Sequence, residues 1–239
     1  MDDVSLLAGR SALVTGASKG IGRVTAERLA DAGARVWCMA RSETAIRQLA
    51  ADIGGEALVA DVTDDVAVWD ALDSMMAALG GPPDIVVNSA GVFGIARADR
   101  ESVEVFDERI AVNLRGTFLV NRALLPAMRE RGSGLIVNLG SIAGRQAFKG
   151  NSTYSASKFG LRGYHEVLVE ELRGTGVRVC LLEPASTDTP IWDSLDPDAN
   201  PRLPNRADML RTEDVVDALM FVATRPATVN IPVLQIEHS

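Results

Sequence analysis

Short apolar runs alternate along the chain with longer stretches of helical periodicity. The first run, Ser11 to Thr15, has strand character and leads into a glycine-rich stretch, Gly16 to Gly22, after which an amphipathic pattern continues through Leu29. A second run covers Ala34 to Met39, and others recur at Ala57 to Ala60, Ile85 to Val87, Leu135 to Leu139, Val177 to Leu182 and Val233 to Ile236. Nearly continuous apolar strands need cover on both faces, and intervening helices provide it. The pattern therefore predicts an α/β fold: a doubly wound parallel sheet of about seven strands, with helices on both faces and right-handed crossovers. In such a sheet a ligand lies beyond the carboxyl ends of the strands. The turns at Gly16, Asp61, Asn88, Ser141 and Pro184 would all project there.

Composition narrows this picture. A chain of 239 residues with 47% hydrophobic content can bury a large core, so one domain over residues 1–239 is expected. The formal charge of −8 speaks against a nucleic-acid partner, and no basic stripe offsets it. The start, Met1-Asp2-Asp3-Val4, is acidic where a signal peptide is basic, and no apolar stretch approaches the ~18 residues of a membrane span. The expectation is a cytoplasmic protein with no membrane partner. Cys38 and Cys180 fall inside apolar strands and read as buried hydrophobes rather than a disulfide or metal ligands. With His165 and His238 as the two histidines, a His-rich metal site is excluded.

Chemistry enters at two places. A strand, a glycine turn and a helix start form a cradle in which backbone N–H groups favour an anion such as a pyrophosphate. Farther on, Tyr154 and Lys158 are four residues apart, which puts both on one face of a helix. A cation beside a phenol favours the phenolate and makes a proton donor that works closer to neutral pH. The spacing alone is equally compatible with a half-buried packing tyrosine.

The glycine spacing is Gly-x-x-x-Gly-x-Gly. Together, Thr15-Gly16-Ala17-Ser18-Lys19-Gly20-Ile21-Gly22, Asn88-Ser89-Ala90-Gly91, Asn113, Ser141 and Tyr154 with Lys158 resemble the short-chain dehydrogenase/reductase family over nearly the whole chain. The resemblance implies a Rossmann-type fold and a nicotinamide cofactor. It implies that Tyr154 is the general acid in reduction and the base in oxidation, and that Ser141 donates to the substrate oxygen. Lys158 would hold the nicotinamide ribose and lower the Tyr154 pKa, with Asn113 anchoring a water relay behind it. Gly16, Ser18, Lys19, Gly20, Ile21 and Gly22 would cradle the diphosphate, and Asp61 with Val62 would meet the adenine. Asn88, Ala90 and Gly91 would line the adenosine side, while Pro184, Thr187 and Thr189 would stand at the carboxamide. Asp61 also has a plainer reading, as a cap for the helix after Thr63, and Asn113 as a group satisfying backbone in a helix break.

After the second strand, Ala40 stands where NAD enzymes of this type carry an acid, and Arg41 follows with a guanidinium suited to a 2′-phosphate. With Lys19 as a second cation, NADP(H) is the expected cofactor. The proline-rich segment 188–208 is expected to be a mobile loop that covers the substrate, as the resemblance implies, and the same resemblance implies a homo-oligomer, a dimer or a homotetramer. Ser89 and Ala185 depart from the family's Asn-Asn-Ala-Gly and Pro-Gly turns, and the C-terminus lacks an Asp-Gly-Gly ending.

The expected activity is hydride transfer between NADP(H) and a small ketone, secondary alcohol or hydroxy acid. One alternative is a 3-oxoacyl reductase that docks a carrier protein through Arg129, Arg131 and Arg145; another is a non-catalytic NADP(H)-binding regulator. Phe93, Phe148 and Trp192 suggest an apolar or aromatic pocket, and no spacing encodes the substrate itself.

Overall fold

The computed structural model describes residues 6–239. The start Met1-Asp2-Asp3-Val4, on which the signal-peptide reading rested, lies outside the described residues. Seven parallel strands form one sheet: β1 (Ser11–Thr15), β2 (Arg35–Ala40), β3 (Glu56–Val59), β4 (Ile85–Asn88), β5 (Gly134–Leu139), β6 (Val177–Pro184) and β7 (Val233–Ile236). Their order is β3-β2-β1-β4-β5-β6-β7, so the winding reverses between β1 and β4. That reversal opens a crevice at the carboxyl ends of the two strands.

Seven helices cover the sheet: α1 (Gly20–Asp31), α2 (Glu43–Ile53), α3 (Asp65–Leu79), α4 (Val103–Ile110), α5 (Thr117–Arg131), α6 (Ser152–Glu171) and α7 (Thr212–Ala223). Side-chain alternation along β1 shows how the two faces are built. Ala12 and Val14 pack with Leu29 of α1, Ile46 of α2 and Leu219 of α7. Leu13 faces the other way, into a layer with Leu72 of α3, Leu124 of α5 and Leu168 of α6. A strand buried on both faces has no polar side, which is why these runs read as continuous apolar segments.

Boundaries shift by a residue or two from the sequence pattern. The first helix runs on to Asp31, β2 ends at Ala40, and β3 is Glu56–Val59. As an edge strand β3 is partly exposed, so burial does not sharpen its pattern. No helix among the described residues is long and apolar enough to cross a membrane. Cys38 and Cys180 are free and buried, and burial pushes both thiols up to about 12.

The segment 188–208 is not structureless. It contains three short 3₁₀ turns, Pro190–Leu195, Pro197–Ala199 and Arg206–Asp208. Arg206 ties it together by pairing with Asp188 and, at 2.7 Å, with Asp193. Trp192, in the first of these turns, is buried.

Candidate active site

A cleft of about 540 Å³ lies over the carboxyl ends of the strands. One end is built by the turn after β1. Gly16 has φ +66°, and a Cβ there would come within 2.7 Å of the Ala90 backbone. A Cβ at Gly22 would be 2.5 Å from the Gly16 carbonyl oxygen. Glycine is thus required for the two turns to meet. The Thr15 hydroxyl joins them, accepting from the Ser89 and Ala90 N–H groups at 3.2 and 3.3 Å. Lys19 stands at the helix cap position without a side-chain cap, and the first turn of α1 carries no acidic residue. An uncapped, acid-free helix start beside a glycine turn fits a diphosphate.

Ser18, Lys19, Gly20 and Ile21 line this part of the cleft. Beyond them lie Ala40, Arg41, Ser42, Asp61 and Val62. Arg41 is largely exposed and sits 3.7 Å from an Asp61 oxygen. Asp61 accepts from the Thr63 N–H at 2.9 Å and its hydroxyl at 2.8 Å, whereas the cap of α3 is Asp64, which accepts from the N–H groups of Val66 and Ala67. The cap reading of Asp61 is therefore corrected to Asp64.

The other end brings together a phenol, an ammonium and a hydroxyl. Tyr154 and Lys158 are one turn apart on α6, and Ser141 precedes the 3₁₀ turn Ile142–Gly144 after β5; all three line the cleft. Lys158 is buried, and its ammonium donates to the Leu139 carbonyl at 2.7 Å and lies 5.8 Å from the Tyr154 ring centre. Burial lowers the Lys158 pKa to about 8. For Tyr154 burial also dominates and raises the pKa, while the Ser141 hydroxyl pulls it down. The expectation that Lys158 brings the phenol below its ordinary value is thus corrected: the net direction is upward, and Ser141 supplies the opposing pull. A neutral phenol at neutral pH suits a proton donor.

Pro184, Thr187, Thr189, Ala90 and Gly91 line the cleft as expected. Gly22, Asn88 and Asn113 do not. Gly22 serves close packing behind the turn. Asn88 is buried, and its amide nitrogen donates to Asn121 at 2.8 Å and Asn138 at 2.9 Å, bracing β4 against α5 and β5. Asn113 lies in a π-helical segment, Ala111–Gly116, between α4 and α5. Its side chain accepts from the Val92 N–H at 2.8 Å and donates to the Val92 carbonyl and the Ser157 hydroxyl, each at 3.0 Å. Its amide clamps the loop after β4 onto α6.

Phe93, Phe148 and Trp192 do line the cleft. Phe93 meets Tyr154 and Trp192 edge-on, each at a centroid distance of 4.7 Å. Asn151 and Ile191 also line it, within the stretches 145–153 and 190–208 from which the sequence leads one to expect pocket side chains. Sequence reasoning missed Ile142 and Ser186, for which adjacency to Ser141 and to the Pro184 turn was the available signal. Two of the three arginines considered for carrier-protein docking are engaged elsewhere. Arg131 donates to the Pro82 and Pro83 carbonyls, and Arg145 pairs with Glu237 beside Glu183.

Comparison with known proteins gives a consistent result. A sequence model described as short chain dehydrogenase matches residues 10–200. An uncharacterized oxidoreductase of Staphylococcus epidermidis is 34% identical over 223 residues, spanning 92% of this chain and 93% of that protein. D-threitol dehydrogenase of Mycolicibacterium smegmatis is 37% identical over 230 residues, spanning 92% and 88%. Among solved structures, the closed form of serine dehydrogenase complexed with NADP⁺ superimposes with a TM-score of 0.88 at 33% identity, covering 95% of this chain and 94% of the other.

Proposed function

The chain belongs to the short-chain dehydrogenase/reductase family, and we propose that it is an NADP-dependent oxidoreductase acting on a small ketone, secondary alcohol or hydroxy acid. The observation that carries this reading is the convergence of Tyr154, Ser141 and Lys158 at one end of a cleft whose other end presents Arg41 next to Ala40. When bound, the nicotinamide supplies the hydride to a carbonyl carbon and takes it up in the reverse direction.

The chain's own residues handle the oxygen. Reduction builds negative charge on it, so the site needs a donor in place and a proton to deliver. Ser141 holds the carbonyl oxygen, and Tyr154 gives up its phenolic proton to that oxygen; in oxidation the tyrosinate takes the alcohol proton back. Lys158, charged below about pH 8, binds the ribose hydroxyls, its ammonium 5.8 Å from the Tyr154 ring centre. Asn113 acts as a positioning residue that fixes Val92 and Ser157 around this centre. At the far end Gly16 to Ile21 cradle the diphosphate, Asp61 and Val62 face the adenine, and Ala90 and Gly91 flank the adenosine. Thr187 and Thr189, after Pro184, meet the carboxamide. Arg41 and Lys19 receive the 2′-phosphate, a reading supported by the NADP⁺ complex among the similar structures.

The whole chain acts as one catalytic domain, with 188–208 over the substrate. A cytoplasmic location belongs to the same reading, and two free cysteines suit a reducing compartment. So does a homo-oligomer, dimer or tetramer: Phe106, Phe118, Phe159 and Val167 expose apolar surface on α4, α5 and α6.

The test is initial rates of NADPH and NADH consumption across small ketones, β-keto esters and a 3-oxoacyl thioester. NADPH-selective turnover of ketones or esters is expected. A preference for thioesters would favour the carrier-protein reductase, and NADPH binding without turnover on any carbonyl would favour a regulator.

A further inference from the structure

The substrate end of the cleft has a composition of its own. Phe93, Trp192, Phe148, Ile142 and Ile191 form its walls, and the edge-on contacts of Phe93 with Tyr154 and Trp192 lock the ring wall against the phenol that handles the proton. Asn151 adds a neutral polar group; it is buried and its side chain caps nothing. Among the described residues, the charged groups lining the cleft are Lys19, Arg41, Asp61 and Lys158. The first three serve the cofactor end, and Lys158 sits behind Tyr154 with its ammonium on the Leu139 carbonyl.

Three arginines on the elements around this end are committed to other partners. Arg109 is buried on Glu101 at 2.8 Å and also donates to the Thr153 hydroxyl, next to Tyr154. Arg145 is paired with Glu237, and Arg206 with Asp188 and Asp193. Lys149, beside Phe148, is exposed and does not line the cleft. A charged group carried into an aromatic pocket without a partner loses its hydration and gains nothing in exchange. The same holds for an ammonium, since no carboxylate lines this end.

Resting on the oxidoreductase reading, we infer that the substrate is a neutral ketone or secondary alcohol whose larger arm is apolar and planar, and that the site discriminates against hydroxy acids and other charged analogues. The arm packs between Phe93, Trp192 and Phe148, with the carbinol carbon held below by Ser141 and Tyr154.

A matched pair tests this. Oxidation of ethyl 3-hydroxy-3-phenylpropanoate and of the free 3-hydroxy-3-phenylpropanoate is followed as NADPH formation at one pH. The two differ in one ester, and kcat/KM is expected to favour the ester by at least ~50-fold, well below the penalty for fully burying an unpartnered charge because the wall is open at the exposed Phe148. The Phe93→Arg variant, which places a cation in the wall, is expected to narrow that ratio at least ~10-fold; if it fails to fold, the wild-type pair decides alone. Equal efficiency, or preference for the acid, overturns the inference and leaves the oxidoreductase reading standing. Absence of turnover on both, and on the corresponding aryl ketones with NADPH, overturns this inference alone if other carbonyls of the panel above react, and overturns the oxidoreductase reading with it if none does in protein shown to bind NADPH.

Discussion

Arg162 on α6 donates to both carboxylate oxygens of Glu183 at the end of β6, each at 2.9 Å. Glu183 is fully buried and precedes Pro184, which lines the cleft; Gln235 of β7 donates to it at 3.3 Å. Arg145, four residues after Ser141, lies 3.8 Å from the same carboxylate. One side chain thus joins the helix of Tyr154, the turn of Ser141 and the strand that ends at the cleft.

Removing the acid alone leaves guanidinium groups against an unfilled polar slot, which is the costly way to break a buried pair. Glu183→Ala is expected to lose about 2–4 kcal/mol of stability, below the cost for a fully enclosed pair because the Arg162 side chain is 27% exposed. For a chain of this size that lowers the Tm by roughly 5–15 °C. Thermal unfolding followed by circular dichroism measures it, with Glu183→Gln expected to fall between the two. A Tm within about 1 °C of wild type would contradict the bridging role.

Lys158 has a pKa lowered by burial to about 8, against an ordinary value of 10.5. Between those two values the unfolded chain holds a proton that the folded chain has released. The contribution of Lys158 to stability therefore rises with pH across that window and is least favourable below it. The chain has three lysines, Lys19, Lys149 and Lys158, so a ¹³Cε-lysine spectrum is simple to read. One of three resonances is expected to titrate near pH 8 and to vanish in Lys158→Arg. Its absence would mean that water or a neighbouring charge offsets burial at this ammonium.

Tyr154→Phe keeps the ring that packs edge-on against Phe93 and removes the proton. NADPH affinity is expected to stay within about 3-fold, and turnover to drop at least ~100-fold, as for a missing general acid. Ser141→Ala is expected to cost about 100–1000-fold in kcat through the lost donor to the substrate oxygen. Retained turnover in Tyr154→Phe would remove Tyr154 from the mechanism.

The sheet was legible in the sequence because strands buried on both faces leave unbroken apolar runs, as at Ser11–Thr15 and Leu135–Leu139. The glycine turn was legible because Gly16 and Gly22 answer to backbone atoms less than 3 Å from any Cβ. Asn88 and Asn113 do not line the cleft, which the sequence could not show for one physical reason: an amide that braces backbone and an amide that lines a cleft look alike in a sequence. What separates them is which partners fold alongside, Asn121 and Asn138 for the first and Val92 and Ser157 for the second. In the segment 188–208 prolines hide periodicity, so the three 3₁₀ turns were not legible, and nothing local shows that Arg206 reaches back to Asp188. The direction of the Tyr154 pKa was equally hidden, since spacing reveals the neighbouring cation and says nothing of how deeply the phenol is buried.

Arg41 decides between the two nicotinamide cofactors in this reading. Its guanidinium is 65% exposed and 3.7 Å from Asp61, a loose pair from which it is free to turn towards a 2′-phosphate. A charge-assisted hydrogen bond of that kind contributes about 1.5–3 kcal/mol, or roughly 10–100-fold in affinity. Arg41→Ala is expected to raise the KM for NADPH by that factor and to leave the KM for NADH within about 2-fold. Ala40→Asp goes further, because a carboxylate repels the 2′-phosphate and accepts from the free ribose hydroxyls of NADH. The double variant is expected to prefer NADH. Steady-state kinetics with both cofactors at saturating substrate read the outcome. Equal losses for NADPH and NADH in Arg41→Ala would mean that the guanidinium supports the adenosine as a whole and that the phosphate is held elsewhere, with Lys19 the remaining cation lining that end of the cleft.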